Sequence, residues 1–283
     1  MNGRDRGNQF VLPAVVALSL VTIYPLVSTL YLSLYRNMPI FKISEYRGFA
    51  NYRFLLADER FWNALGNTVY FTALSVSLEL LLGLGIALLL HRPFRFKGPV
   101  TALVLVPWAI PTVVSARMWE WMYNVDFGIL NHVLGARINW LGSPAWALHS
   151  AVLMDVWKTT PFVAVLLLAG LKMIPADLER AARVDGAGRW AIFRRITLPL
   201  LLPIIAVVLI FRTMDAFRVF DAVYVLTGGG PANTTETLSI YAYKVLFQTL
   251  QFGYGSTLAI VVFLCVGAIS LLYVRMVKQE AGL

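Results

Sequence analysis

Six ionisable side chains, Glu79, Asp155, Lys158, Arg212, Asp215 and Arg218, fall inside or at the edges of long apolar stretches of this 283-residue chain. A charge in hydrocarbon is costly unless it is paired or faces a polar cavity, so these groups either neutralise one another or meet a polar solute inside a helical bundle. Pairing has a simple local form. Asp155 with Lys158, Arg212 with Asp215 and Arg218 with Asp221 are each spaced i to i+3, which puts both members on one helix face. Pairing or gating and direct solute contact both remain open for each of them.

Such residues need spans to carry them, and the composition supplies the spans. With 59% hydrophobic and 14% charged residues and a mean hydropathy of +0.70, the chain cannot be a soluble single-core domain. A hydrocarbon core takes about 20 apolar helical residues to cross, and lipid obliges each crossing to satisfy its own backbone as a helix. Six stretches qualify: residues 10–34, 64–90, 100–122, 147–171, 198–220 and 255–277. The expected fold is therefore an all-α polytopic membrane protein, a single transmembrane domain of six helices over residues 1–283. The first stretch is too long for a cleavable signal core, and we expect it to remain attached. Pro107 and Pro111 bracket a kink in the third span and Pro161 marks one in the fourth; each removes a backbone hydrogen bond and can leave a carbonyl facing a cavity.

Lys and Arg placement orients the spans. With both termini in the cytoplasm, the inner segments hold Arg4 and Arg6; Arg92, Arg95 and Lys97; Lys172, Arg180, Arg183, Arg189, Arg194 and Arg195; and Arg275 and Lys278, while the segment from Asn124 to Trp146 holds only Arg137. The net charge of +9 is then topological, and basic contacts go to membrane lipid rather than nucleic acid. The outer segment from Arg36 to Trp62, rich in aromatic residues, reads as a partly helical flap that could receive an external protein.

Most catalytic chemistry finds no footing. Cys265 stands alone, so neither an intrachain disulfide nor a thiolate cluster can form. His91, His132 and His149 have no metal-ligand spacing, and no Gly-x-x-x-x-Gly-Lys-[Ser/Thr] loop occurs to bind a nucleotide. Gly83 and Gly85 lie among leucines and suit close helix approach in lipid.

The loop of residues 172–197 differs in kind. Pro175 can start a short helix containing Glu179, Ala181 and Ala182, Asp185-Gly186 supplies its turn, and a second helical piece runs from Arg189 through Ile196 into the fifth span. Small residues on one side suit a protein contact, and the arginines equally suit anionic lipid headgroups.

The run Ala181-Ala182-x-x-Asp185-Gly186-Ala187, followed by Ile196-x-Leu198-Pro199, resembles the EAA signature of the permease subunits of ATP-binding-cassette importers. Trp157 to Phe162, Asp215 to Asp221 and Leu226 to Pro231 resemble the sugar branch of that family, in particular the first permease of trehalose and maltose importers. The likeness covers essentially the whole chain. It implies a cytoplasmic coupling helix between the fourth and fifth spans, with Glu179, Arg180, Ala181, Ala182, Asp185, Gly186 and Ala187 at the ATPase contact. It implies a second related permease, two copies of a cytosolic ATPase that bind ATP and Mg, an external sugar-binding protein, a bacterial inner-membrane location, and no enzymatic or cofactor site in this chain. One departure stands out: where the family has Glu, five residues before the Asp, this chain has Arg180, with Glu179 one place earlier.

For a sugar, ring faces need planar apolar surfaces and hydroxyls need polar partners. On that footing Trp157, Lys158, Asp215, Arg218, Asp221 and Tyr224 are the expected pathway residues, with Trp108 and Trp119 behind them. The expected cargo is a disaccharide such as trehalose or maltose. The alternatives are another carbohydrate, a glycerol-phosphate-type solute, or an ion-coupled secondary transporter.

Overall fold

The computed structural model describes residues 3–280, without the side chains of residues 3–10, 14, 274 and 276–280. Arg4, Arg6 and Lys278, used above for orientation, lie outside the described side chains. In chain order the elements are α1 (Gly3–Ser33), β1 (Tyr35–Met38), β2 (Ile43–Tyr46), α2 (Ala50–Ala57), α3 (Glu59–His91), α4 (Lys97–Ala109), α5 (Thr112–Met122), α6 (Ile129–Leu134), α7 (Ala147–Met173), α8 (Ala176–Val184), α9 (Arg189–Ile192), α10 (Leu198–Phe217), α11 (Asp221–Leu226), α12 (Leu238–Tyr243) and α13 (Phe252–Glu280). Among the described residues five helices are long and apolar enough to cross a membrane, and a bent pair, α4 with α5, makes a sixth candidate.

Three helix ends follow one steric rule: the residue before a proline is pushed out of the helical region. α3 stops at His91, before Arg92-Pro93. α4 ends on Ile110 at ψ 134, before Pro111, and α7 ends on Ile174 at ψ 123, before Pro175. At Ile110 the consequence is large, because α4 and α5 meet at 93°. The kink expected in the third span is thus a right-angled break, and residues 100–122 do not form one continuous helix. α7, by contrast, runs unbroken through Pro161.

The contacts divide the chain into two compact units, residues 1–61 with 241–264, and residues 62–240 with 265–283. In the first, β1 and β2 form an antiparallel hairpin pairing Tyr35 with Tyr46 and Met38 with Ile43, turned at Lys42 with φ +53°. The outer segment is partly helical as expected, through α2 and the start of α3, and this hairpin is the addition to an otherwise helical fold. Gly253 lets α13 approach the hairpin closely, since a Cβ there would lie 1.9 Å from the Tyr35 carbonyl oxygen. Asp58, at the end of α2, accepts hydrogen bonds from the Tyr241 hydroxyl at 2.6 Å and from the Tyr254 hydroxyl.

In the second unit α7 is the axis, buried along most of its length. One apolar cluster gathers Phe71, Trp119, Tyr123, Met154 and Ile240 around its first half, and another gathers Ala87, Val163, Leu167 and Leu201 around its second half. The approach of α3 is made at Gly83, where a Cβ would fall 2.6 Å from Val163 Cγ1; Gly85 meets nothing within 4 Å. Only the first of the two glycines is a crossing point.

Candidate functional site

A cavity of about 560 Å³ opens where α4, α5, α7, α10 and α11 meet, a size in the ordinary range for small-molecule sites. Each wall has a local cause. The 93° break brings Trp108 and Thr112 to it from α4 and α5; α7 contributes Asp155, Lys158, Thr159 and Phe162; α10 contributes Phe211, Arg212 and Asp215; and the turn into α11 contributes Arg218, Phe220 and Asp221.

Behind the cavity lies a buried ionic cluster. Arg212 and Glu79 are both sealed from solvent, with 4% and 0% of their side chains exposed. Arg212 Nη2 donates to Glu79 Oε1 at 2.9 Å, its Nε donates to the other carboxylate oxygen, and its Nη1 donates to Asp215 Oδ2 at 2.7 Å. Asp155 Oδ2 stands 3.3 Å from Nη2, and the Thr159 hydroxyl donates to Glu79 at 2.7 Å. One guanidinium therefore ties α3, α7 and α10 together, which its planar fork of five donors suits.

Two of the three expected i to i+3 pairs are re-partnered. Arg212 does pair with Asp215. Asp155 pairs with Arg212 rather than Lys158, and Arg218 pairs with Asp215 at 3.5 Å rather than with Asp221. Lys158 turns instead to the broken span. Its Nζ donates to the Ile110 carbonyl at 2.6 Å and lies 3.4 Å from that of Trp108. A helix C-terminus offers unpaired carbonyls and a partial negative charge, so the ammonium satisfies both at once.

Of the six residues expected along the pathway, Lys158, Asp215, Arg218 and Asp221 line the cavity. Trp157 and Tyr224 do not. Trp157 is half-buried, edge-on to Trp119 at 5.7 Å, because the helical period turns it 100° from Lys158 and into the apolar cluster. Tyr224 stacks on Phe220 at 5.1 Å. The aromatic faces on the cavity belong to Trp108, Phe162, Phe211 and Phe220, with Trp108 and Phe162 5.7 Å apart. Phe162, Phe211 and Phe220 are not among the expected residues; the signal that marks the first two is their spacing of four from Lys158 and Asp215 on the same helices, whereas Phe220 lies in the turn between α10 and α11, where no helical spacing applies.

The loop residues form a second constellation. α8 has no buried residue and presents Leu178 and Val184 to the outside at 43% and 87% exposure. It closes with Asp185 N–H bonding the Ala181 carbonyl at 3.0 Å and Ala187 N–H bonding that of Ala182 at 2.9 Å, around Gly186 at φ +82°. That is a left-handed helix cap, which glycine adopts at no steric cost. Arg180 pairs with Asp177 and Glu179 with Arg183 at 3.2 Å, so the unusual arginine is held by its own helix. Arg189 follows on α9, and a wide π-helical turn, Phe193–Thr197, leads into α10.

Comparison with known proteins agrees with this architecture. A family model described as "binding-protein-dependent transport system inner membrane component" matches residues 79–280. The trehalose/maltose transport system permease protein MalF of Thermococcus litoralis is 42% identical over 273 residues, covering 95% of this chain and 92% of that protein. The sulfoquinovosyl glycerol transport system permease protein SmoG of Agrobacterium fabrum is 40% identical, covering 95% and 89%. A bacterial ABC transporter involved in alginate import superposes with a TM-score of 0.84 at 24% identity over 98% of this chain and 96% of that one, a likeness of fold. The chain, a multi-pass membrane protein, belongs to the family of inner membrane components of binding-protein-dependent transport systems.

Proposed function

We propose that this chain is one half of the translocation pathway for a disaccharide such as trehalose or maltose, and that the cavity beside Lys158 and Asp215 is where the sugar passes. The observation that carries this reading is the cavity wall itself. Lys158, Arg212 and Arg218 are met there by Asp155, Asp215 and Asp221, so the lining charges cancel, and aromatic faces alternate with them. A neutral polyhydroxylated solute suits such a wall: ring C–H faces lie on aromatics and hydroxyls meet charged partners. Support also comes from the relatives named for trehalose and maltose transport.

In the same reading the second, related permease completes the pathway, and both termini lie in the cytoplasm. Two copies of a cytosolic ATPase bind ATP and Mg, and one of them grips α8 and its cap, at Ala181, Ala182, Asp185, Gly186 and Ala187. An external sugar-binding protein delivers the solute. This chain contributes no nucleotide site of its own. The relative named for sulfoquinovosyl glycerol favours a second reading, a glycoside carrying an acidic group.

Uptake by the reconstituted complex separates the two. Labelled trehalose or maltose is expected to accumulate with ATP, and Trp108→Ala, which alters an exposed cavity wall, to slow that uptake roughly five- to tenfold. Accumulation of an anionic glycoside alone would replace the first reading with the second, and uptake driven by an ion gradient without ATP would remove both.

A further inference from the structure

A second cavity, of about 720 Å³, lies under the α8–α9 loop. Its walls come from the C-terminal ends of two spans, α3 through Leu88 with Arg92 just beyond it and α7 through Leu171, from α9 through Arg189, Trp190 and Ile192, and from the π-helical turn through Phe193. Two candidate membrane-crossing helices, of 33 and 27 residues, end at this one place, and helices of that length reach from the hydrocarbon into the headgroup layer.

Its charge is one-sided. Arg92, Arg183 and Arg189 line it against Glu179. Glu179 is already bonded to Arg183, and among the described residues neither Arg92 nor Arg189 has a carboxylate at ion-pair distance. Trp190, 70% exposed, stacks on Phe193 at 5.5 Å and 28°. Amphipathic aromatic rings of this kind settle at headgroup depth. Leu88, Leu171 and Ile192 give the remaining wall an apolar strip, beside which stand Pro93, His91 and Thr197.

We propose that this cavity binds the headgroup of an anionic phospholipid, with Arg92 and Arg189 on the phosphate, the Trp190–Phe193 pair at the glycerol level and an acyl chain along Leu88, Leu171 and Ile192. Guanidinium groups match phosphate oxygens in paired hydrogen bonds. Two arginines without a carboxylate partner among the described residues exceed what a zwitterionic headgroup neutralises, and the apolar strip would be wasted on a free phosphate ion. The site is separate from the cavity beside Lys158 and from the outward face of α8, so it stands whether or not the solute is a disaccharide.

Native mass spectrometry of the full chain in detergent tests this, with phosphatidylglycerol and phosphatidylcholine of equal chain length offered together. Wild type is expected to retain phosphatidylglycerol in roughly tenfold excess, Arg92→Gln/Arg189→Gln to lose that excess, and Arg137→Gln, at a loop arginine paired with Asp126, to keep it. Should the double variant not fold, Arg189→Gln alone serves, and the wild-type comparison needs no variant. Equal retention of the two lipids by wild type, or an undiminished preference in a folded variant, would overturn the site. Displacement of phosphatidylglycerol by millimolar inorganic phosphate would overturn the lipid assignment in favour of a free phosphate ion.

Discussion

Arg212 and Glu79, separated by 133 residues in sequence, meet as a bidentate ion pair with both side chains sealed from solvent. Glu79 has no cation at helical spacing, and Arg212 has at that spacing only the half-exposed Asp215, so the buried pair exists because α3 and α10 both pack on α7. Removing one member strands a charge in a low-dielectric interior, which costs about 3–5 kcal/mol. Arg212→Met is expected to lower the thermal unfolding temperature of the purified chain strongly, and Glu79→Gln/Arg212→Met to recover part of the loss. Additive losses in that double-mutant cycle would show that the two side chains are not coupled.

Lys158 is expected to hold the break of the third span. Lys158→Met keeps the stem but orphans the Ile110 carbonyl, a cost of about 1–3 kcal/mol. It also removes a positive charge from the solute cavity. We expect uptake to fall while the complex still assembles; Lys158→Arg should restore much of the activity, since the donor returns. If Lys158→Met transports at the wild-type rate, the ammonium is dispensable to the pathway.

Gly186 sits at φ +82° with open space where a Cβ would point. Its substitution is therefore a matter of backbone strain, about 1–2 kcal/mol for a residue forced into the left-handed region. Gly186→Val should distort the turn and weaken copurification of the ATPase, while Gly186→Asn, which tolerates that conformation, should retain it. Equal loss in both variants would mean that bulk against the partner, and not the turn, is what matters.

Close packing at Gly83 and open space at Gly85 predict opposite responses. Gly83→Leu forces α3 away from Val163, and overpacking of this kind costs about 1–3 kcal/mol. Gly85→Ala should leave the unfolding temperature unchanged or slightly raised. Similar destabilisation at both positions would contradict the crossing point.

Asp58 gives the outer segment a pH dependence. Burial pushes its carboxyl up, but the hydrogen bonds from Tyr241 and Tyr254, with backbone N–H groups of Arg60 and Phe61, outweigh this and hold it below its ordinary value. A carboxylate with a lowered folded pKa stabilises fully above its unfolded pKa of about 3.9 and loses that contribution as pH falls through the folded value. Limited proteolysis of residues 35–58 should therefore be slow at neutral pH and accelerate in acid, with Asp58→Asn cleaved faster at neutral pH and less affected by acidification. A flat profile in wild type would remove the clamp.

Much of this molecule is legible from local rules. Runs of about 20 apolar residues must become helices in lipid, and the Asp185-Gly186 turn with its flanking helices follows from capping chemistry that acts within a few residues. The resemblance of residues 181–187 to the EAA signature is legible for the same reason: its pattern is contiguous. The candidate site was legible mainly in its charges, Lys158, Asp215, Arg218 and Asp221, with Trp108 as a secondary candidate, because an ionisable residue in an apolar run is conspicuous wherever it folds.

Tertiary structure decided the partners. The i to i+3 rule offered Lys158 to Asp155, yet the ammonium serves the Ile110 carbonyl, an acceptor freed by a proline 47 residues earlier and brought near by the packing of α4 on α7. Local spacing also could not say which prolines break a helix: Pro111 turns the chain by 93°, whereas Pro161 stays inside a continuous α7 that is packed on several sides. Trp157 ranked ahead of Trp108 in sequence, yet helix rotation sends Trp157 toward the apolar cluster and Trp108 to the cavity. The sequence by itself thus determined which segments enter the membrane and where the charges are. Packing determined what each charge meets, because the desolvation cost of a buried charge is relieved by whatever partner the fold brings within reach.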